Sequence, residues 1–182
     1  MSKIYTRTGD GGDTGLFTGA RIGKDDPRMA AIGDVDELVA ALGVARADAK
    51  GELAATLAEI QTELYCALVE LASPGVASGE SGVGLAEDAP ARLEELIDRI
   101  NAGLPPLTDF VMPGAARLSA QLHMARTVCR RAERAVVGLG RDTEVPVHVQ
   151  TYLNRLSDAL FVLARWADHA AGRGETTFKS TL

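Results

Sequence analysis

Residues 115–139, AARLSAQLHMARTVCRRAERAVVGL, decide the fold class. Leu118, Leu122, Ala125, Cys129, Ala132 and Val136 recur every third or fourth residue. At about 100° per residue they fall within an arc of roughly ±40° on one side of a helix. With Leu118 as the zero of the wheel, Glu133, Arg126 and Arg130 lie at about 60°, 80° and 120°. They form a charged shoulder beside the apolar stripe, not the far solvated face. From spacing alone, a solvated face with i,i+4 pairs is an equal reading. Against it, two arginines at the edge of a core need partners, because an uncompensated cation there is costly.

The same period runs outward from this segment. Met29, Ile32, Val35, Leu38, Val39 and Leu42 predict a helix opened by Asp25 or Asp26 as N-cap with Pro27 at its start, and ended by Gly51. Leu53, Leu57, Ile60, Leu64, Leu68 and Leu71 predict a second, stopped by Ser73 and Pro74. A shorter helix is expected over 90–102 and a last one over 147–171, where Leu153, Leu156, Leu160, Leu163 and Ala167 repeat. Long helices joined by short connections pack as an antiparallel bundle. Residues 73–88, SPGVASGESGVGLAED, lack periodicity and read as a mobile loop.

Composition agrees with a helical domain. The chain has 182 residues, 46% hydrophobic and 24% charged, enough for one self-sufficient core. Only 4% is aromatic, which disfavours both a β-sandwich and stacking platforms for single-stranded nucleic acid. A formal net charge of −6 has the wrong sign for phosphate neutralisation, so no nucleic-acid partner is expected. No apolar run spans a bilayer and the N-terminus lacks a signal-peptide core, so no membrane is expected and the location is read as cytoplasmic. Cys66 and Cys129 make no disulfide framework and read as small thiols on apolar faces. His123, His148 and His169 lie on separate segments without metal-ligand spacing.

Two non-helical stretches remain. Thr6–Gly15, TRTGDGGDTG, interleaves glycines with hydroxyls, so its amides can form a nest for phosphate oxygens. It is neither a Walker A motif, lacking Lys-Ser or Lys-Thr after the glycines, nor a Rossmann fingerprint. By itself such a stretch is more often a flexible terminus. Lys24 lies just beyond it as a further cation. The second stretch, 103–114, GLPPLTDFVMPG, is a proline-rich connection carrying Phe110. Asp36 is placed near a helix interface as a partner for the arginines, although an exposed surface acid fits as well. On the last helix Asn154, Asp158, Phe161 and Arg165 share one face. An asparagine there ordinarily bonds solvent or backbone.

Taken in order, YTRTGDGGDTGLFTG, KDDPR, GDVDEL, FVMPG, LHMARTVCRRAER and YLNRLSD resemble the PduO-type ATP:cob(I)alamin adenosyltransferases. The resemblance covers nearly the whole chain. It implies an all-α five-helix bundle with an extended Gly/Thr-rich N-terminal segment, assembled as a homotrimer with active sites between subunits. One domain, 1–182, would comprise an ATP-binding loop over 1–24, the bundle over 25–171 and a flexible tail over 172–182. The implied ATP contacts are Thr6, Arg7, Thr8, Gly9, Thr14, Gly15 and Lys24, with Arg130, Arg131, Glu133, Arg134 and Asn154 from the bundle. Mg2+ would accompany the triphosphate.

The family chemistry is attack of cob(I)alamin cobalt on C5′ of ATP, which needs positioning and charge stabilisation but no side-chain nucleophile. Arg130 would neutralise the leaving triphosphate. Asp36 and Arg126 match a family salt bridge at the subunit interface, orienting the corrin. Phe110 would fill the lower corrin face and leave four-coordinate cob(II)alamin, which is easier to reduce. A flavoprotein or other reductase and an adenosylcobalamin-dependent mutase are the partners such a reaction implies. A carrier of adenosylcobalamin without turnover, or a bundle with only a structural role, are the alternatives. Asp13, Asp34, Val39 and Ala115 depart from the family pattern. Asp13 adds a carboxylate to the phosphate loop, expected to weaken ATP binding or strengthen its Mg2+ dependence. The C-terminal GETTFKSTL does not align, and Phe178 receives no firm role.

Overall fold

The computed structural model describes residues 3–76 and 82–178. Five helices follow two short strands: β1 (Asp13–Gly15), β2 (Arg21–Gly23), α1 (Pro27–Asp48), α2 (Gly51–Leu71), α3 (Ala89–Asn101), β3 (Phe110–Met112), α4 (Arg117–Leu139), α5 (Val147–Ala170) and β4 (Thr176–Phe178). Each helix lies within two residues of its expected bounds at most ends, the scatter normal for fraying termini. The exception is the first, closed at Asp48 ahead of Gly51, which instead opens α2. Asp26 is the N-cap of α1, its Oδ1 accepting the Arg28 N–H at 2.7 Å, with Pro27 in the first turn where no donor is needed. Part of the expected mobile loop, 77–81, lies outside the described residues, as do 1–2 and 179–182.

The core forms where the stripes meet. Helix α4 packs between α1 and α5, α2 packs on α1, and α3 on α5. From α4 the core takes Leu122, Ala125, Cys129, Ala132 and Val136, all without exposed surface. Leu118 is partly buried and packs against this cluster, so the stripe frays at its N-terminal end. The small residues of α4 let α5 approach closely enough for Cys129 Sγ to donate to the Leu153 carbonyl at 3.2 Å. Burial pushes that thiol far above its ordinary range, so it is an inert filler. Cys66 is only half-buried. Among the described residues no helix is long and apolar enough to cross a membrane.

The strands make two separate antiparallel pairs. In the first, Thr14 faces Ile22 and the chain turns back at 16–20. In the second, Phe110 faces Phe178 and Met112 faces Thr176, across more than sixty residues of sequence. Within the tail expected over 172–182, residues 176–178 form the strand β4. Its signal was absent from the sequence because three residues carry no readable period and the partner lies far along the chain.

Candidate functional site

The N-terminal hairpin is seated by the orphan carbonyls that end α2. A helix leaves its last C=O groups unpaired, and here the Ala72 carbonyl accepts the Phe17 N–H at 3.1 Å while the Leu71 carbonyl accepts Arg28 Nη1 at 2.7 Å. Arg28 Nη2 also donates to Thr143 Oγ1 at 3.1 Å, which ties the start of α1 to the exit of α4. The hairpin therefore stands at the end of the bundle where α2 and α4 finish.

Within it, residues 6–15 fold into a tight concave turn. Arg7 takes φ 63°, a left-handed conformation unusual for a side chain of its size. The Thr6 and Thr8 hydroxyls share a hydrogen bond of 2.8 Å, Arg21 donates to the Thr8 carbonyl at 2.8 Å, and the Lys24 N–H donates to the Gly12 carbonyl at 2.8 Å. Lys24 folds back over the turn so closely that a Cβ on Gly9 would stand 3.2 Å from its Nζ and 3.1 Å from the Asp13 carbonyl oxygen. Gly9 and Lys24 are thus brought together in the same turn as Thr6 and Thr8. This is a cation above a glycine floor, chemistry suited to phosphate oxygens.

The shoulder of α4 lies along the bundle. Arg126 and Glu133 are half-buried and Arg130, furthest round the wheel, is exposed. Asn154 Nδ2 donates to Glu133 Oε1 at 2.8 Å and its Oδ1 accepts Arg155 Nη1 at 2.7 Å. Side-chain partners thus replace the solvent or backbone expected for this asparagine. Arg131 turns to α1, where Asp34 accepts from its Nε at 3.0 Å and Glu37 pairs with its Nη2. The Asp34 departure therefore supplies a partner for Arg131. Arg134 is exposed.

Arg126 Nε is buried without a hydrogen-bond partner, and burial followed by the charge of Arg130 lowers the guanidinium pKa. Asp36 is exposed. Among the described residues of one chain, no ion pair joins Asp36 to Arg126. One turn before Arg126, His123 is 2% exposed, packs edge-on to Phe161 with ring centres 6.0 Å apart, and leaves both ring nitrogens unpartnered.

At the opposite end of α4 stands the β3–β4 ribbon. Phe110 is 82% exposed, a large apolar side chain held in solvent at the tip of a paired strand. The residues named from sequence thus fall into three groups: the hairpin, the α4–α5 shoulder and the ribbon. Helix α4 separates the first from the last by about 35 Å, at 1.5 Å per residue. Sequence reasoning gave no task to His123, Asp168 or Arg165. Asp168 and Arg165 were legible as charges inside an apolar helical run, LARWADHA, where a core forces them to find partners.

The chain is similar to known proteins along almost its whole length. Residues 4–167 match the family model for cobalamin adenosyltransferase. The chain is 44% identical to a cobalamin adenosyltransferase of Cupriavidus metallidurans over 98% of this chain and 95% of that protein. It is 46% identical to a corrinoid adenosyltransferase of Citrobacter freundii over 91% and 94%, respectively. Its backbone superposes with a TM-score of 0.90 on a variant PduO-type ATP:corrinoid adenosyltransferase of Lactobacillus reuteri complexed with cobalamin and ATP. That match has 34% identity and covers 98% of this chain and 100% of that one. The five-helix bundle, the hairpin and ribbon at its ends, and sequence likeness along almost the whole chain lead to one assignment: the chain belongs to the cobalamin adenosyltransferase family and is a corrinoid adenosyltransferase.

Proposed function

We propose that the chain transfers the 5′-deoxyadenosyl group of ATP to the cobalt of cob(I)alamin, at sites formed between the subunits of a homotrimer. The observation that supports a site shared between subunits is the separation of the site residues, the number of subunits being what the family resemblance implies. A single chain keeps the hairpin and the Phe110 ribbon at opposite ends of α4, and leaves the buried Arg126 Nε unpartnered between them. A neighbouring copy brings Asp36 to Arg126 and closes the gap. The exposed apolar residues Val44, Met124 and Val137 on α1 and α4 suit such contact.

In this reading the cobalt electron pair attacks C5′, the C5′–O bond breaks, and triphosphate leaves with the bonding pair. No proton transfer and no protein nucleophile is required, so the protein contributes position and charge. The turn at Thr6, Arg7, Thr8, Gly9, Thr14 and Gly15 holds the phosphates, with Lys24 above them. Arg130, exposed and free to turn toward the nucleotide, neutralises the developing charge, and Glu133, held by Asn154, fixes the nucleoside end. Arg131 and Arg134 add positive field.

Among the described residues no cluster of three or more His, Cys, Asp or Glu is placed to hold a metal ion. The Thr8 and Thr14 hydroxyls and the Asp13 carboxylate are hard oxygen donors that suit a phosphate-bound Mg2+. Bound with ATP, that ion supplies charge neutralisation along the triphosphate. Phe110, already in the open and needing no exposure cost, presses on the lower corrin face and excludes the axial base and water. A reductase supplies the electron that makes cob(I)alamin, and an adenosylcobalamin-dependent mutase consumes the product in the cytoplasm.

The test is an anaerobic assay with MgATP and chemically reduced cobalamin. Loss of the Co(I) spectrum with formation of light-sensitive adenosylcobalamin and triphosphate is expected. Persistence of Co(I) while both ligands bind would instead identify a carrier.

A further inference from the structure

The β3–β4 ribbon has little of its own to hold it. Each strand is three residues long, and both Phe110 and Phe178 are exposed. A two-stranded ribbon of this size is marginal in water without tertiary support, and no tight turn joins these two strands. Support comes from Arg165 on α5, 2% exposed.

Its guanidinium reaches every segment that enters the ribbon. Nε donates to Glu175 Oε1 at 2.5 Å and Nη2 to Glu175 Oε2 at 3.4 Å, immediately before β4. Nη2 also donates to the Pro105 carbonyl at 2.7 Å, in the connection that leads to β3, and Nη1 to Asn101 Oδ1 at 3.3 Å, at the end of α3. A buried charge is tolerated only when paired and hydrogen-bonded. Here that requirement fixes both approaches to the ribbon with one planar fork, a geometry lysine cannot reproduce.

We propose that Arg165 is a positioning residue for adenosyl transfer: with Glu175 it clamps the two strands so that Phe110 is presented to the corrinoid at a fixed height. It touches neither substrate and acts through the ribbon. The inference rests on the reading of Phe110 as the group that fills the lower corrin face.

The test compares Arg165→Lys, Glu175→Gln and Phe110→Ala. Each is measured for oligomeric mass, ATP affinity and the spectroscopic yield of four-coordinate cob(II)alamin in the presence of MgATP. Glu175→Gln changes one partly exposed carboxylate and keeps a folded comparator should Arg165→Lys destabilise the core. In both clamp variants ATP affinity is expected to stay within about twofold, because the hairpin lies at the other end of the bundle. The four-coordinate yield is expected to fall about tenfold, because a Phe110 no longer held at one height favours the four-coordinate population less. A full yield in Glu175→Gln alongside a lost yield in Phe110→Ala would overturn the clamp and leave the Phe110 reading standing. A full yield in Phe110→Ala would overturn that reading, and the clamp with it.

Discussion

Asp168 of α5 caps α4: its Oδ2 accepts the Ser119 hydroxyl at 2.8 Å while its Oδ1 accepts the Ala116 N–H at 2.8 Å, and the carboxylate has no exposed surface. Helix α4 begins without a side-chain cap of its own, so a residue from the neighbouring helix satisfies one of its orphan backbone donors, the Ala116 N–H, together with the Ser119 hydroxyl of its first turn. Asp168→Ala leaves the buried Ser119 hydroxyl and Ala116 N–H unpaired and is expected to cost roughly 3 kcal/mol of stability. Urea denaturation of the variant against the parent measures it.

His123 ties stability to pH. Burial, then the charge of Arg126, lowers its pKa below the ordinary 6.5, against smaller raising effects from Asp168 and Glu175. The folded state therefore binds a proton more weakly at this imidazole than the unfolded chain, which takes one up as pH falls through about 6.5. The contribution is therefore complete above that pH and is lost progressively as pH falls below it, because the unfolded chain then binds more protons than the folded one. Denaturation curves from pH 7.5 to 5.5 should show a shallower decline for His123→Leu than for the parent. Equal slopes would remove His123 from the account.

Gly9 tests the hairpin. A methyl group there meets Lys24 Nζ at 3.2 Å and the Asp13 carbonyl at 3.1 Å. The lysine can retreat and the backbone cannot, so Gly9→Ala is expected to raise the KM for ATP by about tenfold with little change in Tm. Steady-state kinetics with cob(I)alamin saturating separates this from a loss of kcat.

Arg130 is exposed, so Arg130→Ala should leave the fold and oligomeric mass unchanged. Loss of a charge-assisted contact to the departing triphosphate is expected to reduce kcat by about a hundredfold or more. Retained turnover in a folded variant would refute the role given to this arginine.

The helices were legible because their apolar stripes are long: Leu118, Leu122, Ala125, Cys129, Ala132 and Val136 along α4 leave one face to bury. The α4 shoulder was only half legible: wheel angles set Arg126 and Glu133 beside the stripe but left a solvated face as an equal reading, and the half-burial of both side chains decides between them. Asn154 could be placed on its face, but its bond to Glu133 depends on the α4–α5 distance, which the small residues Ala125, Cys129 and Ala132 set. The β3–β4 pairing was hidden because a three-residue strand has no period. Arg165 could be seen as a charge in an apolar run, but Glu175 and Pro105 approach it only after the chain has closed around α5. The pairing of Arg131 with Asp34 likewise needs the contact of α1 with α4.

Subunit mixing tests the shared site most directly. Lys24→Ala removes the cation over the hairpin and Arg126→Ala removes the unpartnered arginine of α4; each alone is expected to be nearly inactive while keeping three times the chain mass of 19.1 kDa. Co-assembled trimers of the two variants should regain adenosyl transfer, because some sites then take the intact hairpin from one copy and the intact α4 from another. If mixed trimers form and stay as inactive as either parent, hairpin and α4 act within one chain and the inter-subunit site is contradicted.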